Sequence, residues 1–112
     1  MNFSVIPTPK FIREAKRLIK KYPSLIQELK ELSIILTSEP EAGNSLGNKI
    51  HKIRIPIKSK GKGKSGGARV ITYFIADNEE IYLLTIYDKS EYEMIDDKTI
   101  KLIIKGLKPD KQ

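Results

Sequence analysis

The chain has 112 residues, 39% hydrophobic and 31% charged, which suits one domain with one modest core. It has no cysteine and a single histidine, His51. That excludes disulfides, thiolate metal sites, a cysteine nucleophile, a His-based metal site and a two-histidine nuclease mechanism. The 21 Lys and Arg against 14 Asp and Glu leave a formal charge of +7, which favours an anionic partner.

Residues 1 to 7 alternate Phe3 and Val5 with Asn2 and Ser4, which predicts a short strand ended by Pro7. Thr8 and Pro9 then read as the N-cap and first position of a helix. Its apolar stripe is Phe11, Ala15, Leu18, Ile19 and Tyr22. Pro23 breaks it. A second helix carries Leu25, Leu29, Leu32 and Leu36, with Ser24 and Gln27 at capping-box spacing, and ends before Pro40. The two helices are expected to form a hairpin covering one face of a sheet. Glu41 to Asn48 reads as a loop from its Gly and Asn.

Ile50 to Ile57 alternates sharply. His51, Ile53, Ile55 and Ile57 share one side; Lys52, Arg54, Pro56 and Lys58 share the other. Residues 58–67 form the expected flexible tip of a hairpin. Ala68 to Ala76 is the return strand, with Arg69, Ile71, Tyr73 and Ile75 on one face and Val70, Thr72 and Phe74 on the other. After an Asp77-Asn78 turn, Glu80 to Tyr87 is apolar on both parities, as a central strand covered on both faces should be. Asp96 can cap a last helix over about 96–106, and the tail beyond it is expected to fray. The order β-α-α-β-β-β-α predicts one α+β domain over residues 1–112, with a small, mostly antiparallel four-stranded sheet against an N-terminal helical hairpin. No apolar run approaches the roughly 18 residues of a membrane span. The first residues lack a signal-peptide pattern, so a cytoplasmic protein is expected.

The charge is local. Lys49, Lys52, Arg54, Lys58, Lys60, Lys62, Lys64 and Arg69 are eight cations in one stretch, and no Asp or Glu occurs from Gly43 to Ala76. Without those eight, the rest has 13 bases and 14 acids. A basic ribbon on a near-neutral body is a footprint for a polyanion, nucleic acid before membrane; a solvated lysine-rich loop is the plainer alternative. Gly61, Gly63 and Gly66 match a dinucleotide fingerprint but lack its strand–turn–helix context. Gly63-Lys64-Ser65 ends like a Walker A loop, yet Lys58 stands where its first glycine is needed. His51, on the apolar side of its strand, reads as a core or partly exposed residue.

The run GKGKSGGARVITYF followed by IYLLTIYDKSE, after two helices, resembles the RelE/HigB superfamily of bacterial toxin–antitoxin toxins, closest to HigB-like members. The resemblance is concentrated in Lys62 to Glu91 and covers nearly the whole chain by element order. It implies a type II toxin that is a ribosome-dependent endoribonuclease cutting mRNA, with a cognate antitoxin as partner and no cofactor or metal. Residue by residue, it implies catalytic roles for Arg69, Lys52, Arg54 and Lys89. Tyr92 comes near a family tyrosine, with Glu91 as an alternative polar group. Lys60, Lys62 and Lys64 look like RNA-docking residues, joined by Lys49 and Lys58.

The chemistry is workable with such groups. The 2′-OH must attack the adjacent phosphate, which needs a base, stabilisation of the phosphorane and an acid for the leaving 5′-oxygen. A lysine among cationic neighbours, Lys49, Lys52, Arg54 and Lys58, can serve as base. Arg69 can clamp the phosphate through two parallel hydrogen bonds. Lys89 can serve the leaving group, and Tyr92 can stack on a base. Two alternatives stay open: a ParE-like inhibitor of DNA gyrase, and a non-catalytic RNA-binding module. A toxin whose activity has decayed is a third.

Overall fold

The computed structural model describes residues 3–60, 66–91 and 95–107. In chain order these form β1 (Ser4–Pro7), α1 (Pro9–Lys21), α2 (Leu25–Ser38), β2 (Asn44–Gly47), β3 (Ile50–Ile55), β4 (Ala68–Ile75), β5 (Glu80–Asp88) and α3 (Asp97–Lys105). One sheet runs β1-β5-β4-β3-β2. It is antiparallel except for β1, which lies parallel to β5.

The sheet therefore has five strands, not four. The extra one, β2, comes from the stretch expected to be a loop. All four of its residues are exposed and show no apolar alternation. Pairing makes the strand. Asn44 and Ser45 oppose Lys52 and His51, and the link to β3 is the two-residue turn Asn48-Lys49, with φ of 51° and 65°. Positive φ at both positions marks the hairpin turn whose twist matches the flanking strands.

The α1–α2 hairpin covers one sheet face. Phe11, Leu18, Leu25 and Leu36 pack onto Ile53, Ile55, Val70, Ile81 and Ile86. α3 covers part of the other face, setting Ile100 against Ile50, Ile71, Leu84 and Tyr87. β5 lies inside the sheet, between β1 and β4, and is buried on both faces, as its apolar run predicts. His51 is buried on the hairpin face.

The caps follow the local sequence at α1 and α3. Thr8 accepts from Phe11 N at 3.1 Å, and its hydroxyl donates to the Leu83 carbonyl at 3.0 Å, fastening α1 to β5. Thr8 is itself buried. Replacing Thr8 with Ala should therefore cost about 1–2 kcal/mol, read as a lower urea midpoint at unchanged m-value. Asp96 caps α3 through Thr99 N at 2.9 Å.

The capping box expected of Ser24 and Gln27 does not form. Ser24 has helical backbone angles and no capping bond. Its hydroxyl instead accepts from Ser59 N at 2.9 Å and lies 2.9 Å from the Ser59 hydroxyl. That tertiary contact displaces the local one. It ties the α1–α2 turn to the start of the basic loop, where residues 58–60 form a short 3-10 turn rather than an open tip.

Candidate active site

The cations of β3 and β4 meet on the sheet face shared with α3. Arg54 lies directly opposite Arg69, and Arg69 directly opposite Tyr87, giving a row across three strands. Phe74 N bonds to Lys49 O, so even-numbered residues of β4 direct their backbone at β3 and odd-numbered ones at β5. Arg54 and Arg69 are then a non-hydrogen-bonded pair, the closer kind, with Cα atoms about 4.5 Å apart. The ladder sets the two arginines on the same face of adjacent strands, and the Arg69 guanidinium donates to the Ala68 carbonyl at 3.2 Å.

Burial divides them. Arg69 is 4% exposed and Tyr87 likewise 4%, while Arg54 is exposed. Burial first, then the charge of Arg54, pulls Arg69 below its usual pKa, with Tyr87 opposing. Burial pushes the Tyr87 phenol above its usual value, against the pull of Arg69. Tyr87 therefore keeps its proton at neutral pH and can donate it.

Lys52, half-buried, comes one step along the same face of β3, opposite Ile71. Lys89 follows the end of β5. Its backbone N–H donates to Gly67 O at 3.0 Å, joining the turn after β5 to the approach of β4. Lys52, Arg54 and Arg69 thus share one sheet face, and the backbone of Lys89 lies beside Gly67, two residues before Arg69.

Other expected residues go elsewhere. Lys49 occupies the β2–β3 turn with its ammonium 5.8 Å from the Phe74 ring. It is five residues from Arg54, about 16 Å along an extended strand. Phe74 belongs to the hairpin face, so Lys49 does not join the cationic neighbours of Lys52. Lys58 is exposed; its N–H donates to the buried carboxylate of Glu28 at 2.7 Å.

Lys60 was expected on a solvated tip and instead turns inward. It donates to Asp88 at 2.7 Å, the two side chains being 11% and 0% exposed, and passes 5.3 Å from the Tyr22 ring centre. Glu91 forms a two-pronged bond with Arg17 of α1, at 2.9 and 3.1 Å. The Arg17 hydrogen bond holds its carboxyl below the usual range against the effect of burial. Tyr92, Lys62 and Lys64 lie outside the described residues.

Tyr87 and Asp88 escape sequence reasoning for a definable reason. A regular hairpin continuing the Ile75–Glu80 pair would set Ile86 opposite Arg69. The ladder shifts between Ile71 and Thr72, leaving Leu84 as an extra residue, and Tyr87 arrives there instead. No pattern in residues 80–88 marks that bulge. The partner of Asp88 sits 28 residues earlier, in a run of similar lysines.

No family model matches the sequence. Solved structures do match. A double mutant of the E. coli toxin RelE in the free state is 16% identical, covering 83% of this chain and 90% of its own, with a TM-score of 0.61. The isolated E. coli RelE toxin is 14% identical, covering 94% of this chain and 98% of its own, with a TM-score of 0.59. The match runs nearly end to end on both sides at low identity, so what is shared is the arrangement of helices and strands: the chain has the RelE fold.

Proposed function

We propose that this protein is the toxin of a type II toxin–antitoxin system, of the HigB-like kind, and a metal-independent endoribonuclease that cuts mRNA on the ribosome. The observation that carries the reading is the Arg54–Arg69 pair. Like charges directly opposite on a sheet destabilise it. A phosphodiester bridging both guanidinium groups removes that repulsion and is clamped by it.

The steps assign naturally. Lys52 takes the proton of the 2′-OH as it attacks phosphorus. Arg54 and Arg69 stabilise the charge on the phosphorane oxygens. Lys89 or the Tyr87 phenol gives a proton to the leaving 5′-oxygen, leaving a 2′,3′-cyclic phosphate. Lys58, with Lys62 and Lys64, extends the cationic track for the rest of the message. Lys60 is left out of that track because Asp88 holds it. An acidic antitoxin segment is the partner this charge distribution calls for, and no cofactor enters the scheme.

The test is induction in a bacterial host with mRNA 5′ ends mapped, comparing wild type with Arg69→Ala and Arg54→Gln. Wild type should arrest growth and create cuts within translated messages. Arg69→Ala should abolish both at equal soluble expression. Arg54→Gln alters an exposed side chain, so folding survives and cleavage should fall about 100-fold. Relief of repulsion should also stabilise that variant by about 0.5 kcal/mol, raising Tm by about 2–4 °C at low salt. Arrest without cuts moves the target to gyrase, and no arrest leaves a binding module.

A further inference from the structure

Beside the arginine row lies a cavity of about 440 Å3, between α1 and the start of α3. The floor is the end of β5, with Ile86 and Tyr87. Tyr87 is thus shared with the row, and Arg69 is one strand spacing away, about 4.8 Å.

Lys10 and Arg17 are matched by Glu14 and Asp96, so the charged lining is formally neutral in a chain of charge +7. The carboxylates are fixed in place. Glu14 accepts from the Thr85 hydroxyl at 2.6 Å and from Ile86 N at 3.1 Å, closing the edge of β5 beyond the end of β1. Asp96 is pinned by its cap bond to Thr99 N. Both cations are already engaged, Lys10 by Glu14 and Arg17 by Glu91, so a phosphate entering here gains no net attraction. A nucleobase carries no charge, presents a flat face to Tyr87, Ile86 and Ile95, and presents a hydrogen-bonding edge to Asp96 and Thr99.

We propose that this cavity receives the base adjoining the phosphate held by Arg54 and Arg69, and that Asp96 and Thr99 favour a base with an exocyclic amino group. The proposal rests on the ribonuclease reading. Its chemistry is simple. A carboxylate only accepts hydrogen bonds, and amino groups of adenine, cytosine and guanine donate them. Uracil offers carbonyl oxygens at the corresponding positions, and these face the carboxylate unfavourably. Phosphate contacts position the strand; this contact reads it.

The test uses the full chain and the same end mapping, with wild type, Asp96→Asn and Thr99→Val. Asparagine is as good a helix cap as aspartate, so Asp96→Asn keeps α3 while supplying a donor. In wild type, uridine should be depleted about fivefold or more at one position flanking the cut. Asp96→Asn should abolish that depletion, and Thr99→Val should weaken it. A flanking-base profile identical in all three proteins overturns the proposal. So does uniform loss of cutting at every site in Asp96→Asn, which would make Asp96 a scaffold for the reaction and not a reader. Absence of cuts from wild type is a different failure: it removes the ribonuclease reading, and the base pocket with it.

Discussion

Replacing Lys60 with Met should destabilise the fold by about 3–5 kcal/mol, a large share of the 5–15 kcal/mol typical of a domain. The side chain keeps its apolar stem against Tyr22. What it loses is the ammonium 2.7 Å from a fully buried carboxylate. Asp88 would be left with the backbone N–H of Ser90, at 3.0 Å, as its partner. The second carboxylate oxygen has no hydrogen bond among the described residues. Replacing both members, Lys60→Met with Asp88→Leu, should recover most of the loss, because an apolar pair avoids the desolvation that the ion pair must offset. A double-mutant cycle in urea gives the coupling, expected above about 1.5 kcal/mol.

Acid adds a sign test. Burial would raise the Asp88 pKa, but hydrogen bonds from Lys60 and Ser90 and the Lys60 charge hold it at about 2, against an ordinary 3.8. The unfolded chain thus binds the proton more readily. The stability from Asp88 is present in full above about pH 4 and is lost as pH falls through 2, a change of about 2 kcal/mol. In Lys60→Met, burial is opposed only by the Ser90 hydrogen bonds, so the folded pKa of Asp88 moves up toward the ordinary value. That variant should lose less stability on acidification than wild type does over the same range. A loss under about 1 kcal/mol with the wild-type slope retained would mean the pair is solvated and Lys60 is free for RNA.

The two outcomes for Lys60 and Arg54 show what a sequence of this kind reveals. Alternation in β3 and β4 is legible because isoleucines and cations differ sharply and the strand period is two. It correctly separates Ile53 and Ile55 from Lys52 and Arg54. The continuous apolar run of β5 is legible for the same reason. Lys60 is hidden because nothing local distinguishes it from Lys58, Lys62 or Lys64; its role is fixed by a carboxylate far along the chain. β2 is hidden because its residues have no strand pattern and are recruited by the edge of β3. The base pocket is hidden because α1, β5 and α3 each supply part of it, and the bulge at Leu84 sets which side chains reach its floor.

Glycine substitutions should separate packing from backbone freedom, with Gly67→Ala the largest effect. A Cβ at Gly67 would lie 2.0 Å from Ile55 O and 2.9 Å from Pro56 Cα, both backbone atoms of the neighbouring chain segment. No rotamer relieves such a contact. Either the end of β3 or the start of β4 must move, and Gly67 also supplies the carbonyl that receives Lys89 N. We expect a loss of about 3 kcal/mol or more, the range of backbone disruption, together with loss of cleavage as Arg69 and Lys89 separate. Gly47 has φ of +91° and open space around its Cβ position, so Gly47→Ala should cost about 1 kcal/mol from strain alone. Gly106 ends α3 with φ of −75° and its nearest contact at 3.5 Å, so Gly106→Ala should be neutral or gain about 0.5 kcal/mol by restricting the unfolded chain. Urea midpoints of the three variants test the order. If Gly67→Ala fell within 1 kcal/mol of wild type, the β3 and β4 backbones would not be in contact there, and the loop joining them would have room to swing. The contact explains why a glycine precedes Ala68 and Arg69: it lets two backbones touch, so that Arg54 and Arg69 enter the sheet in register.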